Sequence, residues 1–215
     1  TYPSGGDRIC NRDFADFIQT QIVEDIRHTM MPTWQKRHLM HQSMSETRNP
    51  KVPSTIIELL SHHNYYDMTF GLDPKFKFIA SRAIYKGMLR FIHQTTGTPY
   101  VVQPLPVQQM NISYANNDSL HISWAERVDR LEPTATPTYY IIYTRTSQLR
   151  DGQWQTSDWD NGIRVTTPHA TLPIQRGVKY DIMVRAGNDG GVSLPSEVLS
   201  AYIDAKYDNK LALII

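Results

Sequence analysis

Apolar residues return at four-residue spacing from Asn11 to His28: Phe14, Ile18, Ile22 and Ile26, with Phe17 beside them. This predicts an amphipathic helix. Asn11 is placed to cap its start, and Pro32 forbids its continuation. A polar stretch rich in Met and His, Thr33 to Lys51, reads as loop with at most one short element. Val52 to Leu60 is then a short apolar run with β-branched residues, the pattern of a buried parallel strand. Asp73-Pro74 opens a second long helix, with Asp as N-cap and Pro at the first helical position. Its expected buried stripe is Phe76, Ile79, Ala80, Ala83, Ile84, Met88 and Phe91.

The period changes near residue 100. Gly97-Thr98-Pro99 stops the helix, and Gln103-Pro104-Leu105-Pro106 reads as a stiff linker over 101–106. Beyond it alternation has a period of two, in Leu120 to Trp124, Tyr139 to Arg145 and Tyr180 to Ala186. Turn signals at Asn116-Asn117-Asp118, Asp151-Gly152, Asn161-Gly162 and Asp189-Gly190-Gly191 separate these runs. The predicted architecture is therefore a partial α/β layer domain over 1–100 and an all-β sandwich over 107–205. Residues 206–215 form the start of a linker or further domain. A single strand is not a sheet, so the first half looks incomplete, and its missing strands are expected upstream of Thr1.

Composition narrows the classes. Lys+Arg is 22 and Asp+Glu 21, a net charge of +1. That balance gives no general grip on nucleic acid or anionic membrane. The longest apolar tail, Leu211 to Ile215, is far short of a membrane span. Cys10 is the single cysteine, which excludes an intrachain disulfide and a cysteine-based zinc cage. The opening Thr1-Tyr2-Pro3-Ser4-Gly5-Gly6 has no initiator Met and no signal-peptide pattern, and reads as a mature or excised piece.

Within the apolar run stands one carboxylate, Glu58. Desolvation there would raise its pKa unless a cation compensates, and strand ends are where α/β folds place ligand chemistry. The residues alone leave open a solvated Glu58, or one paired with Arg48 or Lys51.

The second half resembles a fibronectin type III domain over roughly Pro104 to Ala205. The resemblance is carried by Trp124, Tyr140-Ile141-Ile142-Tyr143, Leu172 to Tyr180, Val184 to Asn188 and Gly191 to Ser196. It implies that Trp124 and Leu172 fill the core between two sheets. It also implies that the Tyr180 hydroxyl bonds upstream backbone as a tyrosine corner. No Arg-Gly-Asp triplet supports integrin-type adhesion.

The first half, over roughly Gly6 to Gln94, resembles the C-terminal part of zinc-dependent N-acetylmuramoyl-L-alanine amidases of the amidase-3 type. Arg48, Pro53, Ile56-Ile57, Glu58 and Asn64 fall in that family's order and spacing. Proteins of Bacteroides-type bacteria that join such a domain to a fibronectin type III domain, some labelled xanthan lyase, are more similar still. The resemblance implies a secreted, periplasmic or cell-envelope hydrolase acting on peptidoglycan, with further domains in the same polypeptide. Glu58 would be the catalytic base, with Arg48, Asn64 and His41 at the substrate. In the complete domain zinc would polarise the amide carbonyl and activate a water, and Glu58 would carry that water's proton to the L-alanine nitrogen.

The pattern also departs from the family. Leu60-Ser61 and His62-His63 follow Glu58 where Gly-Phe is usual, and the family's His-Gly-His-like zinc motif does not occur. The zinc ligands are therefore expected outside this chain. A makeshift metal site from His38, His41 and one of His62 and His63 is suggested less readily than scattered surface histidines. In extended chain, His62 and His63 would point to opposite faces. The alternative function is a non-catalytic wall- or polysaccharide-binding scaffold, in which exposed Tyr65, Tyr66, Trp154 or Trp159 stack on sugar rings. Nothing in the residue pattern argues for a lyase.

Overall fold

The computed structural model describes residues 8–42, 44–116 and 118–205. The chain divides into two compact units, Thr1–Tyr100 and Val101–Ile215. The expectation for 206–215 lies outside the described residues.

The first unit is built on two long helices, α1 (Arg8–Thr29) and α4 (Pro74–Thr96), with short helices α2 (Ser45–Arg48) and α3 (Tyr65–Gly71) between them. Ile18, Ile22 and Ile26 of α1 meet Phe76, Ala80 and Ala83 of α4 in a buried core. The α4 boundaries are those the sequence dictates. Asp73 accepts from the Lys75 N–H at 2.8 Å, Pro74 takes the first position, and Gly97 stops the helix at φ 73°, a left-handed conformation that suits glycine.

Several expectations for this unit are corrected. Asn11 lies inside α1. Its side chain instead donates to the Thr47 carbonyl at 3.2 Å and accepts from the Ser54 N–H at 3.1 Å, tying distant loop backbone to the helix. Met88 is exposed, and the inner face of α4 at that turn belongs to Lys86 and Gly87. A Cβ on Gly87 would stand 2.7 Å from the Ile18 Cα, so the helices approach too closely there for a long side chain. Val52 to Leu60 has no helix and no ladder pairing. A strand needs a partner to satisfy its backbone, and no described residue of this unit provides one. Val52, Ile56 and Ile57 are exposed, while Leu59 and Leu60 pack on the helical core. The α/β layer is thus not formed by the described residues.

The second unit has two antiparallel sheets. One has the order β1-β2-β6, from Gln108–Asn116, Ser119–Ala125 and His169–Pro173. The other has the path β4-β3-β7-β8, from Gln153–Thr156, Tyr139–Arg150, Val178–Asn188 and Gly191–Val192. Beside it, β5 (Ile163–Val165) pairs with β3, and β9 (Leu199–Tyr202) pairs with β7. Alternation decides what is inside: Leu120, Ile122 and Trp124 from one sheet meet Tyr140, Ile142, Ile182 and Val184 from the other. Asp151 and Gly152 turn β3 into β4 with φ of 50° and 76°, the positive pair that a two-residue hairpin requires.

Residues 101–106 are not a free linker. Val102, Pro104 and Leu105 are buried, the Val102 N–H donates to Thr134 Oγ1 at 3.1 Å, and Asn188 Nδ2 donates to the Val102 carbonyl at 2.9 Å. Asn188 Nδ2 also reaches the Thr134 carbonyl at 3.0 Å. Apolar residues interleaved with the prolines give this segment a face to bury, so it packs as part of the sandwich unit.

Candidate functional site

Glu58 sits in the unpaired segment between α2 and α3, and its side chain is exposed. The segment is pinned at both ends. Upstream, Ser54 is held by Asn11; downstream, the Ser61 N–H donates to Asp67 Oδ2 at 2.9 Å. Asn64 caps α3, its Oδ1 accepting from the Tyr66 N–H at 2.9 Å and the Asp67 N–H at 3.5 Å. Asn64 thus holds the loop through the local bonds that Asx residues favour.

The predicted site residues stand on separate segments of the first unit. Arg48 ends α2 and is exposed, as is His41 in the preceding loop. Among the described residues no hydrogen bond joins Glu58 to His41 or Asn64. His62 and His63 share a turn, with ring centroids 4.0 Å apart rather than on opposite faces. A turn rotates neighbouring side chains together where an extended chain would separate them. Among the described residues, no three His, Cys, Asp or Glu side chains gather to hold a metal ion. The described residues therefore do not fit a zinc centre. No described helix is long and apolar enough to cross a membrane.

Two clusters escaped the sequence reading. In the first unit, Lys86 Nζ lies 2.7 Å from Asp25 Oδ2, with both side chains buried. Gln21 Nε2 donates to Asp25 Oδ1 at 2.9 Å. Positions 21, 25 and 86 carry polar residues in apolar helical stripes, which is the signal that would have found them. In the second unit, the outward residues of β3 alternate with the buried Tyr140 and Ile142. They include Tyr139, Tyr143 and Arg145, a pattern visible in the sequence once β3 is placed. Arg145 Cζ stands 4.8 Å from the Trp159 ring centroid, and its Nε donates to Asp181 Oδ2 at 2.9 Å. Burial raises the Asp181 pKa, but the hydrogen bonds from Ser200, Arg145 and Lys179 outweigh it and hold the carboxyl below its ordinary value. Burial, with the nearby Glu126 charge adding to it, raises the Tyr140 phenol. A hollow of about 310 Å³ lined by Glu126, Asp129, Arg130 and Glu132 contains none of the predicted site residues. Glu132 is committed there to the Thr134 hydroxyl at 2.8 Å.

The second unit is a two-sheet antiparallel sandwich, and it contains two features that the resemblance to fibronectin type III domains implied. Trp124 is buried against Tyr140, with ring centroids 5.3 Å apart. The Gln175 N–H donates to the Tyr180 hydroxyl at 3.0 Å, closing the expected tyrosine corner. Solved structures similar to the chain include the FN5 domain of Drosophila Lar, at 19% identity over 47% of this chain and 98% of that one, TM-score 0.34. The twitchin kinase region from C. elegans is similar at 20% identity over 53% of this chain, TM-score 0.37. Titin kinase with its flanking domains is similar at 21% identity over 46%, TM-score 0.34. The chain spans 20% of the twitchin structure and 16% of the titin structure. No protein-family model matches the chain, and no curated protein matches it.

Proposed function

We propose that the chain is part of a secreted or periplasmic cell-envelope hydrolase, in which Glu58 acts on the amide between N-acetylmuramic acid and L-alanine. The supporting observation is the presentation of Glu58: an exposed carboxylate on an unladdered apolar segment, anchored by Asn11 at one end and Asp67 at the other. Val52, Ile56 and Ile57 beside it are exposed, as edge residues awaiting a sheet would be. In this reading Glu58 takes a proton from water as the water oxygen attacks the carbonyl. It returns that proton to the departing nitrogen as the C–N bond breaks. The groups that stabilise the carbonyl oxygen come from polypeptide outside the described residues. The test is digestion of purified peptidoglycan by the full-length protein, read as new L-alanine amino termini. Glu58→Gln is expected to slow release by about 10²–10⁴-fold, the usual range for a lost general base. Release at the unmodified rate would overturn the role of Glu58.

A second reading, a non-catalytic wall-binding scaffold, is favoured by Tyr65 and Tyr66, which are 87% and 56% exposed on the first turn of α3. Retention on peptidoglycan with no new amino termini, lost in Tyr65→Ala, would select it.

A further inference from the structure

We infer that the outer face of the six-stranded sheet binds an acidic polysaccharide built of uronic acids. The inference stands on the sandwich unit and does not require Glu58.

Successive strand residues point to opposite faces. With Tyr140 and Ile142 buried inward, Tyr139, Ile141, Tyr143 and Arg145 point outward. The register adds Arg164 of β5 and Arg185 of β7 opposite Ile141. It adds Lys179 opposite Ser147, Tyr202 opposite Lys179 and Trp154 opposite Leu149. Cations and aromatic rings therefore share one face.

Their geometry is pre-set. The Arg164 guanidinium stands 3.6 Å from the Tyr139 ring centroid. That ring occupies the space a side chain would need at Gly187, where a Cβ would lie 2.2 Å from its Cζ. A glycine beneath the ring lets it lie close to the sheet, and the ring supports the guanidinium. A stacked guanidinium keeps its N–H edge available for two-pronged pairing with a carboxylate. Arg145 also stands over a ring, 4.8 Å from the Trp159 centroid, but its Nε is already given to Asp181. Further along the face, Trp154 is 51% exposed and meets Tyr202 edge-on at 5.8 Å, offering an apolar ring surface to a sugar.

The charge selects the ligand. Asp181 is the acidic partner of Arg145 and Lys179. Asp160, at the edge, is committed to Thr144 and the Gly162 N–H. Arg185 donates to the Ser193 carbonyl at 2.7 Å, and Arg164 has no carboxylate partner among the described residues. The face therefore carries surplus positive charge beside stacking rings. A uronic-acid chain supplies carboxylates and sugar faces together, whereas an acidic polypeptide supplies carboxylates without the sugar faces.

The test measures binding of the whole chain to polygalacturonate by calorimetry, with dextran as a neutral glycan and poly-L-glutamate as an acidic polypeptide. Polygalacturonate is expected to bind, more weakly as salt rises, with little binding of the other two. Arg164→Gln should weaken binding about tenfold, as expected for loss of one charge-assisted pair. Arg164→Lys should fall between, and Trp154→Ala should also weaken it. Both positions are exposed, and unchanged circular dichroism verifies the fold of each variant. No binding, equal binding of dextran, equal binding of poly-L-glutamate, or an unchanged affinity in both Arg164→Gln and Trp154→Ala would each overturn the inference. Glu58→Gln should leave this binding intact, so the result is separate from the hydrolase proposal.

Discussion

Lys86 of α4 and Asp25 of α1 face each other across the helix pair at 2.7 Å, each side chain almost wholly buried. Gln21 completes the cluster by donating to the same carboxylate. A buried pair of this kind adds little net stability over an apolar replacement, but removing one partner leaves a charge stranded. Asp25→Ala should therefore destabilise the helix pair by about 3–5 kcal/mol, read as faster amide exchange in α1 and α4. Lys86→Met combined with Asp25→Leu should cost far less. Equal losses in the single and double variants would refute this account.

Gly87 sits where α4 touches α1. Gly87→Ala would gain about 1 kcal/mol of helix propensity. It also places a Cβ 2.7 Å from the Ile18 Cα, which is backbone and cannot rotate away. Overpacking of this kind costs about 1–3 kcal/mol, so the expected net effect on a urea melt is destabilising. A higher midpoint would show that the helices can separate without loss.

Asn64 caps α3 and so fixes the chain just after the Glu58 segment. Asn64→Ala should cost about 1 kcal/mol, and Asn64→Asp should retain the cap. Thermal unfolding distinguishes them. If Asn64→Asp is as damaging as Asn64→Ala, the side chain has a role beyond capping.

The tyrosine corner makes a smaller prediction. Tyr180→Phe removes the acceptor of the Gln175 N–H. Because Gln175 is exposed, water can replace the hydroxyl, and the loss should be about 0.5–1.5 kcal/mol in denaturant unfolding of the sandwich.

Asp181 gives the sandwich an acid limit. Its folded-state pKa lies below the ordinary 3.8 despite the opposing effect of burial. A depressed carboxyl contributes stability above its unfolded pKa and loses it as pH falls through the folded value. The sandwich should hold its stability down to about pH 4 and lose it progressively below. Asp181→Asn should be less stable at neutral pH and show a shallower acid slope. An unchanged slope would assign the acid limit to other groups.

Local chemistry was enough to determine much of this protein. The four-residue spacing of Ile18, Ile22 and Ile26, and the Asp73-Pro74 start with its Gly97 stop, define the long helices because capping and periodicity act within a few residues. The alternation at Leu120–Trp124 and Tyr180–Ala186 defines strands for the same reason, whereas the corner at Tyr180 was implied by the resemblance to fibronectin type III domains. The apolar character of Val52–Leu60 was equally legible, but pairing was not: a strand exists through its neighbours, and the described residues supply none there. Only packing in three dimensions revealed that Asn11 staples a loop, that the proline-rich 101–106 segment is buried, and that Lys86 reaches Asp25. Each joins residues far apart along the chain, which no local pattern encodes. The sequence singled out Glu58 as a carboxylate within an apolar run, whereas nothing in the local pattern marked Arg164. The tertiary structure decided that one lies exposed on an unpaired segment and that the other rests on a tyrosine ring.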